Sequence, residues 1–241
     1  SYTGLDDEKY LIESVRLAYP SLLEAIALLD YVYTLEFESP MFIKYCQLVR
    51  TKLEGMVQGV VLAKRKVSPQ LFADELRFYY DAIKVDYDKP YLGPGAVEMP
   101  MFVVDHILWS CDCKDDVYTV FKEGYLPYNL EAIRSIYHVY KNRESIVTKL
   151  ERAFAAMPSV GIQRAVSAVL EIVTVLKSFR MPHKKLAASA YAHADDHHKQ
   201  HGSGGYSVDI LSHIMALQNQ KTKGLLPLLN QSEGLIPVVT R

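Results

Sequence analysis

The fold of this chain is decided by residues 182–191, which read PHKKLAASAY. One helix face carries the residues at three- and four-residue spacing: His183, Leu186, Ala187, Ala190 and Tyr191. The alanines keep this face low, which allows a flat macrocycle to approach the helix. Neutral imidazole is a common axial ligand of haem iron, and Tyr191 lies about 12 Å farther along the axis. The stretch therefore favours a helix with His183 as a haem ligand.

Four cations flank this histidine, namely Lys177, Arg180, Lys184 and Lys185. A haem carries two propionates, and cationic side chains beside the axial ligand are suited to pair with them. We therefore take Arg180 and Lys184 as candidate cofactor-binding residues. The same pattern is also typical of a half-buried histidine beside solvated lysines. At the level of the residues alone both interpretations stay open.

The rest of the chain has the spacing and punctuation of successive helices, so the predicted fold class is all-α. Ser39-Pro40 and Ser68-Pro69 have the form of an N-cap followed by proline at the first helical position. Pro20 is predicted to start a new helix or to cause a kink, and Pro182 to start another helix that runs to about Tyr191. Strand alternation is absent. Further helices are predicted over residues 101–110, 117–123, 130–140, 145–155, 162–179 and 208–218.

Composition limits the classes of function. The chain has 241 residues, with 27 basic and 28 acidic side chains, so no charge surplus suggests binding to nucleic acid or to an anionic membrane. This length suits one large helical domain over residues 1–241. Three cysteines make no disulfide framework, and Cys111-Asp-Cys113 lacks zinc-knuckle spacing, so we expect ordinary thiols in the cytoplasm. No apolar run approaches the length of a membrane span.

Two glycine-containing loops interrupt the helices. Gly202-Ser203-Gly204-Gly205 precedes a helix that Ser207 could cap, and amides at such a turn can meet a carboxylate or a propionate. A flexible linker is the alternative. The other loop covers residues 91–100 and contains Glu98, which has two interpretations. Glu98 either stabilises the N-terminus of the next helix, or it has a functional role in which it binds an amino group or moves a proton. Asp105-His106 on the following helix is a weaker candidate pair.

The histidines at positions 193, 197, 198 and 201 suggest a rival metal site, because His193 and His197 are four residues apart. No glutamate occupies the position that a zinc-protease motif requires. The segment is highly polar, so a solvated loop is the simpler interpretation. Non-haem metal binding by the His193–His201 cluster stays open as an alternative.

The stretch Phe179–His183, followed by His201-Gly202-Ser203-Gly204-Gly205, resembles the indoleamine/tryptophan dioxygenase superfamily. In that superfamily an arginine precedes the proximal histidine by three residues, and a Gly-Thr-Gly-Gly loop follows. Ser203 replaces that threonine here. Essentially the whole chain is similar to the PrnB-type enzymes of pyrrolnitrin biosynthesis, through residues 1–5, 68–70, 74–77, 91–100, 125–128 and 202–206.

This resemblance implies an all-α haem domain of the dioxygenase type, with haem b as the cofactor and His183 as its axial iron ligand. It implies that Tyr191 and Ser203 contact the amino-acid group of the substrate, and that Gly202, Gly204 and Gly205 shape a lid over the haem. The distal pocket would hold an indole near Val97, Met99 and Phe102. The family also has an N-terminal portion that we expect to be missing upstream of residue 1.

The resemblance further implies L-tryptophan or a substituted tryptophan, dioxygen and an electron donor as partners. The outcome would be ring cleavage or an indole rearrangement, and the sequence does not choose between them. A haem-binding sensor or carrier without turnover is the alternative function. The oligomeric state stays open, with a homodimer as the assembly considered.

Overall fold

The computed structural model describes residues 1–86, 89–93, 99–193, 206–207 and 209–230. Helices dominate, so the prediction of an all-α fold is confirmed. The helices are α1 (Asp6–Val32), α2 (Pro40–Lys66), α3 (Pro69–Leu71), α4 (Met101–Asp105), α5 (Asp116–Tyr125), α6 (Glu131–Tyr140), α7 (Ile146–Ala156), α8 (Val160–His193), α9 (Asp209–Thr222) and α10 (Leu225–Leu228).

Helices α1 and α2 form an antiparallel pair that packs very closely. A methyl group added at Gly59 would lie 2.5 Å from the carbonyl oxygen of Ser14, so only glycine allows this approach. Gly55 makes a similar approach to the Ser21 side chain. The Ser39 hydroxyl accepts a hydrogen bond from the Met41 amide at 3.2 Å, which confirms the predicted cap of α2.

Helix α8 lies beside α2 and runs parallel to it. Ser159 donates a hydrogen bond to the Glu38 carboxylate at one end of the pair. Farther along, Arg50 and Glu171 form an ion pair at 2.9 Å. In both contacts the two residues are 121 positions apart in the sequence, as expected when two helices run parallel. The last third of α8 therefore lies beside the end of α2.

Two prolines were predicted to start or kink helices, and the prediction that each begins a new helix is wrong. Pro20 lies inside α1 and Pro182 lies inside α8, and both helices continue past them. A proline inside a helix removes a backbone donor and costs about 3 kcal/mol. Packing of the two long helices against α2 offsets that cost, which local sequence does not reveal.

The expectation that strands are absent is also wrong in one place. Strands β1 (Ile83–Asp86) and β2 (Lys89–Tyr91) pair as a short antiparallel hairpin, with Ile83 opposite Tyr91. At three or four residues they are too short for an alternating pattern to show in the sequence. The three cysteines are free thiols, as predicted. No helix in the described ranges is long and apolar enough to cross a bilayer.

Two π-helical turns lie beside the shorter helices, at Phe72–Leu76 and His106–Ser110. In the second, the amide of Cys111 donates to the carbonyl oxygen of His106 at 2.9 Å, five residues back. A π-turn inserts one residue into the helical repeat and is frequent at functional sites. Arg77 directly follows the first π-turn and Asp105 directly precedes the second, and both side chains are buried.

Candidate functional site

A cavity of about 640 Å³ lies between helices α1, α2, α4, α5, α8 and α9. This volume falls within the range typical of cofactor and substrate pockets. The predicted site residues that line it are His183, Arg180, Met99 and Phe102, together with Leu186, Ala187 and Ala190 of the low helix face. The structure therefore brings the α8 face and the segment that begins at Met99 to one cavity.

The imidazole of His183 is half-buried because it faces the cavity. Burial, with a further contribution from the Arg180 cation, lowers the pKa of His183 to about 4. The ring is therefore neutral at pH 7, which is the form that binds a metal. The ring lies beside that of Phe179, at 5.3 Å between centroids.

Arg180, one helical turn before His183, is only 4% exposed. Its guanidinium donates to the Asp105 carboxylate and to the Gln218 side-chain oxygen. The predicted pairing of Arg180 with a propionate stays a prediction. In the structure the guanidinium joins helices, because its hydrogen bonds attach α8 to α4 and to α9.

Asp105 accepts hydrogen bonds from three side chains. Besides Arg180, the indole nitrogen of Trp109 donates to Oδ1 at 2.8 Å, and the Tyr118 hydroxyl donates to Oδ2 at 2.5 Å. The carboxylate is 1% exposed, so these donors replace its water. Asp105 and Arg180 therefore form a buried, well-satisfied ion pair in the cavity wall.

His106 was a candidate partner of Asp105, but it faces a different environment. Its ring stacks on Tyr137 at 4.1 Å between centroids, and the ammonium group of Lys122 lies 3.4 Å from Nδ1. Burial and the Lys122 cation lower the pKa of His106 to about 3. The ring is neutral and packed in the core, whereas Asp105 belongs to the cavity.

Several cavity residues were not singled out from the sequence. Arg77 is 3% exposed and contributes a cation to the wall. Tyr118, Phe121, Tyr125 and Tyr206 were also not singled out, and together with the predicted Phe102 they form an aromatic wall that lines the same space. The chain contains 17 tyrosines but a single tryptophan, and this unusual composition is a sequence signal that could have indicated such a wall.

Other predicted residues lie elsewhere. Lys184 is half-buried on α8 and is not among the residues that line the cavity in the described part of the chain. Tyr191 and His193 belong to α8, but their side chains fall outside the description. The remaining predicted positions, Val97, Glu98, His197, His198, His201, Gly202, Ser203, Gly204 and Gly205, lie outside the described residues. Within those that are described, no cluster of three or more metal-ligating side chains occurs.

The N-terminal residues contribute to the cavity rim through Tyr2, which stacks on Tyr79 at 5.1 Å between centroids. The Glu8 carboxylate holds this segment. It accepts hydrogen bonds from the amides of Tyr2, Thr3 and Gly4 and from the Thr3 hydroxyl, the last at 2.7 Å. Burial raises the pKa of Glu8, but these hydrogen bonds outweigh it and lower the pKa to about 2.

This anchor is expected to weaken in acid. The ordinary pKa of a glutamate is 4.5, so the contribution of the Glu8 carboxylate is complete above that pH and is lost as the pH falls towards about 2. Amide exchange of Thr3 and Gly4 should therefore accelerate, relative to the intrinsic rate, across that window. The Glu8→Gln variant should show fast exchange already at pH 6. Equal protection in the variant and the parent would contradict the anchor.

These features define an all-helical protein that encloses a large cavity between its helices and presents a neutral imidazole to it. Such cavities in helical proteins take cofactors and small aromatic ligands. The family model of monodechloroaminopyrrolnitrin synthase PrnB matches residues 1–225 of this chain. The chain therefore belongs to the PrnB family, which is a family of oxidoreductases.

Proposed function

We propose that this chain is a haem-dependent oxidoreductase that uses dioxygen to oxidise or rearrange tryptophan or a chlorinated tryptophan, as in pyrrolnitrin-type biosynthesis. The observation that carries the proposal is the neutral imidazole of His183 on the wall of a 640 Å³ cavity. Membership of the PrnB family supports an oxidation of a tryptophan derivative.

The donor set fits haem. His183 supplies a single neutral nitrogen, and the surface beside it is flat because Ala187 and Ala190 line the cavity with methyl groups only. The mainly apolar wall suits a porphyrin face, since burying apolar area is favourable by about 25 cal/mol per Å². Lys184 and the glycine loop at positions 202–205 would pair with the propionates. Haem b, when bound, supplies the oxidative chemistry that side chains lack.

The remaining residues would bind and orient the substrate. The aromatic wall excludes water and offers ring faces and edges to an indole, with Met99 beside it. Val97 would complete the contact. Arg77 contributes a buried cation suited to the substrate carboxylate. Tyr191 and Ser203 would contact the amino-acid group. Holding the indole in one orientation is worth several kcal/mol of the barrier, because that entropy is lost on binding.

The proposal is tested by an absorption spectrum of the purified chain loaded with haem. We expect a Soret band that shifts when L-tryptophan or 7-chlorotryptophan is added. The Arg77→Gln variant should keep the band but need about tenfold more tryptophan for the shift, because one charge-assisted contact is lost. The Arg152→Gln variant, which changes an exposed arginine, is the matched control.

Each alternative has its own outcome in this experiment. A Soret band without any tryptophan-dependent shift would indicate a haem sensor or carrier and would contradict the catalytic proposal. A protein that holds metal but shows no Soret band would favour the His193–His201 cluster. With reductant and dioxygen present, the product mass separates ring cleavage, which adds both atoms of dioxygen, from a rearrangement of the indole.

A further inference from the structure

The side chain of Tyr206 packs against helix α5 at a site, which we call the seat, that requires glycine at position 124. A methyl group at position 124 would lie 2.6 Å from the Tyr206 hydroxyl oxygen and 3.8 Å from Cζ. The hydroxyl is 3.5 Å from the Val120 carbonyl oxygen, to which it donates. Gly124 has no positive φ, so its backbone conformation does not require glycine. The requirement comes from the Tyr206 hydroxyl oxygen, because Cζ lies at an ordinary van der Waals distance.

The seat is aromatic on both sides of Gly124. The Tyr206 ring meets Phe121 at 5.0 Å between centroids and an angle of 61°, and Tyr125 at 5.5 Å and 77°. Both are edge-to-face contacts, the arrangement that aromatic rings favour. Because Phe121, Tyr125 and Tyr206 all line the cavity, the seat lies in the cavity wall.

Tyr206 is also the residue from which the chain enters α9. Ser207 follows it, and the Ser207 hydroxyl accepts a hydrogen bond from the Asp209 amide at 3.2 Å at the start of the helix. Farther along α9, His213 pairs with Asp115 at 2.9 Å, just before α5 begins. Both contacts thus attach the α9 region to the α5 region, and of these two residues it is Tyr206 that lines the cavity.

We propose that Tyr206, seated at Gly124, is the latch that closes this wall and controls exchange of the cavity's ligand. It is a positioning residue: the three-ring contact holds the wall shut, and leaving the seat opens a path between α5 and the start of α9. The inference deepens the proposed function and rests on it, because it assigns to the same cavity the element through which a ligand would exchange.

The test uses the full chain and a probe that needs neither haem nor tryptophan, 8-anilinonaphthalene-1-sulfonate. Stopped-flow fluorescence gives its dissociation rate, and hydrogen–deuterium exchange follows residues 209–214. In Gly124→Ala and Tyr206→Ala we expect dissociation about tenfold faster, the factor that two lost ring contacts allow. Exchange at the start of α9 should accelerate in both variants. Tyr206→Phe, which keeps the ring, should stay within about twofold of the parent.

Gly55→Ala is the matched control, because a methyl group there also meets a side chain of a neighbouring helix, that of Ser21, but away from the cavity. It should lower stability without changing either rate.

If Gly124→Ala lowers stability and both rates stay at the parent's values, Tyr206 is a packing residue and the latch is overturned. If the parent does not bind the probe, the exchange arm decides alone. Failure of the proposed function would instead appear as a missing Soret band or a missing tryptophan shift, with the latch rates unaffected.

Discussion

The His183→Ala variant is expected to fold normally and to lose about 100-fold or more in affinity for haem. In metalloproteins, replacing a residue that only supports a metal ligand lowers the affinity for the metal by about 10- to 100-fold. Removing the ligand itself should lower the affinity by at least as much. Within the described residues the imidazole makes no hydrogen bond, so its removal leaves no buried partner among them unsatisfied. Titration with haem, followed at the Soret band, measures the affinity.

His138 provides the matched control, because it is an exposed histidine on α6 that does not line the cavity. His138→Ala should bind haem as the parent does. Added imidazole should restore a Soret band to His183→Ala, since the vacated space adjoins the cavity. A variant that keeps the parent's affinity and spectrum would show that another side chain holds the iron.

The second large effect concerns the buried ion pair, because Asp105→Ala is expected to lower the free energy of unfolding by about 3–5 kcal/mol. Arg180 would be left as a buried cation, and the donors of Trp109 and Tyr118 would lose their acceptor. Trp109 is the only tryptophan in the chain, so its fluorescence during urea unfolding reports from within this network.

The exposed pair of Arg152 and Glu144 supplies the comparison, with side chains 65% and 45% exposed. Glu144→Ala should change the free energy of unfolding by no more than about 1 kcal/mol. In Asp105→Leu combined with Arg180→Met, both charges are removed, and much of the lost stability should return. If Glu144→Ala and Asp105→Ala lowered the free energy of unfolding equally, the buried pair would contribute no more to stability than the exposed pair.

Asp105→Ala should also weaken haem binding, although Asp105 would not touch the iron. Arg180 lies one turn before His183 and is attached to α4 and α9 through Asp105 and Gln218. Without Asp105 that turn of α8 loses its attachment to α4, so the imidazole is less well oriented. A loss of about 10-fold in haem affinity is the expected size of such a supporting effect.

Much of the fold was predictable because helix signals are local. The cap at Ser39 appears as predicted, Ser68 also accepts a hydrogen bond from its helix at 3.3 Å, and the helices predicted around residues 101–110 and 130–140 fall close to their observed bounds. Proline signals failed at positions 20 and 182. In both cases the helix continues because tertiary packing outweighs a single missing hydrogen bond.

The candidate site was predicted in part for the same reason. Met99 and Phe102 line the cavity, and so does His183, whose helix face follows from three- and four-residue spacing. Arg77 was missed because an arginine is usually exposed, and its burial directly after a π-turn follows no local spacing that the sequence shows.

By itself the sequence determined the all-helical class, the low face that presents His183 and the absence of a disulfide framework, since each depends on residues within a few positions of one another or on composition. Tertiary packing alone sets the pairing of Arg180 with Asp105, 75 residues earlier in the chain, and the contact of the Tyr206 hydroxyl with Gly124. Local spacing sets which face of a helix is apolar. Which distant side chain meets that face depends on how the helices pack, and no short-range pattern encodes it.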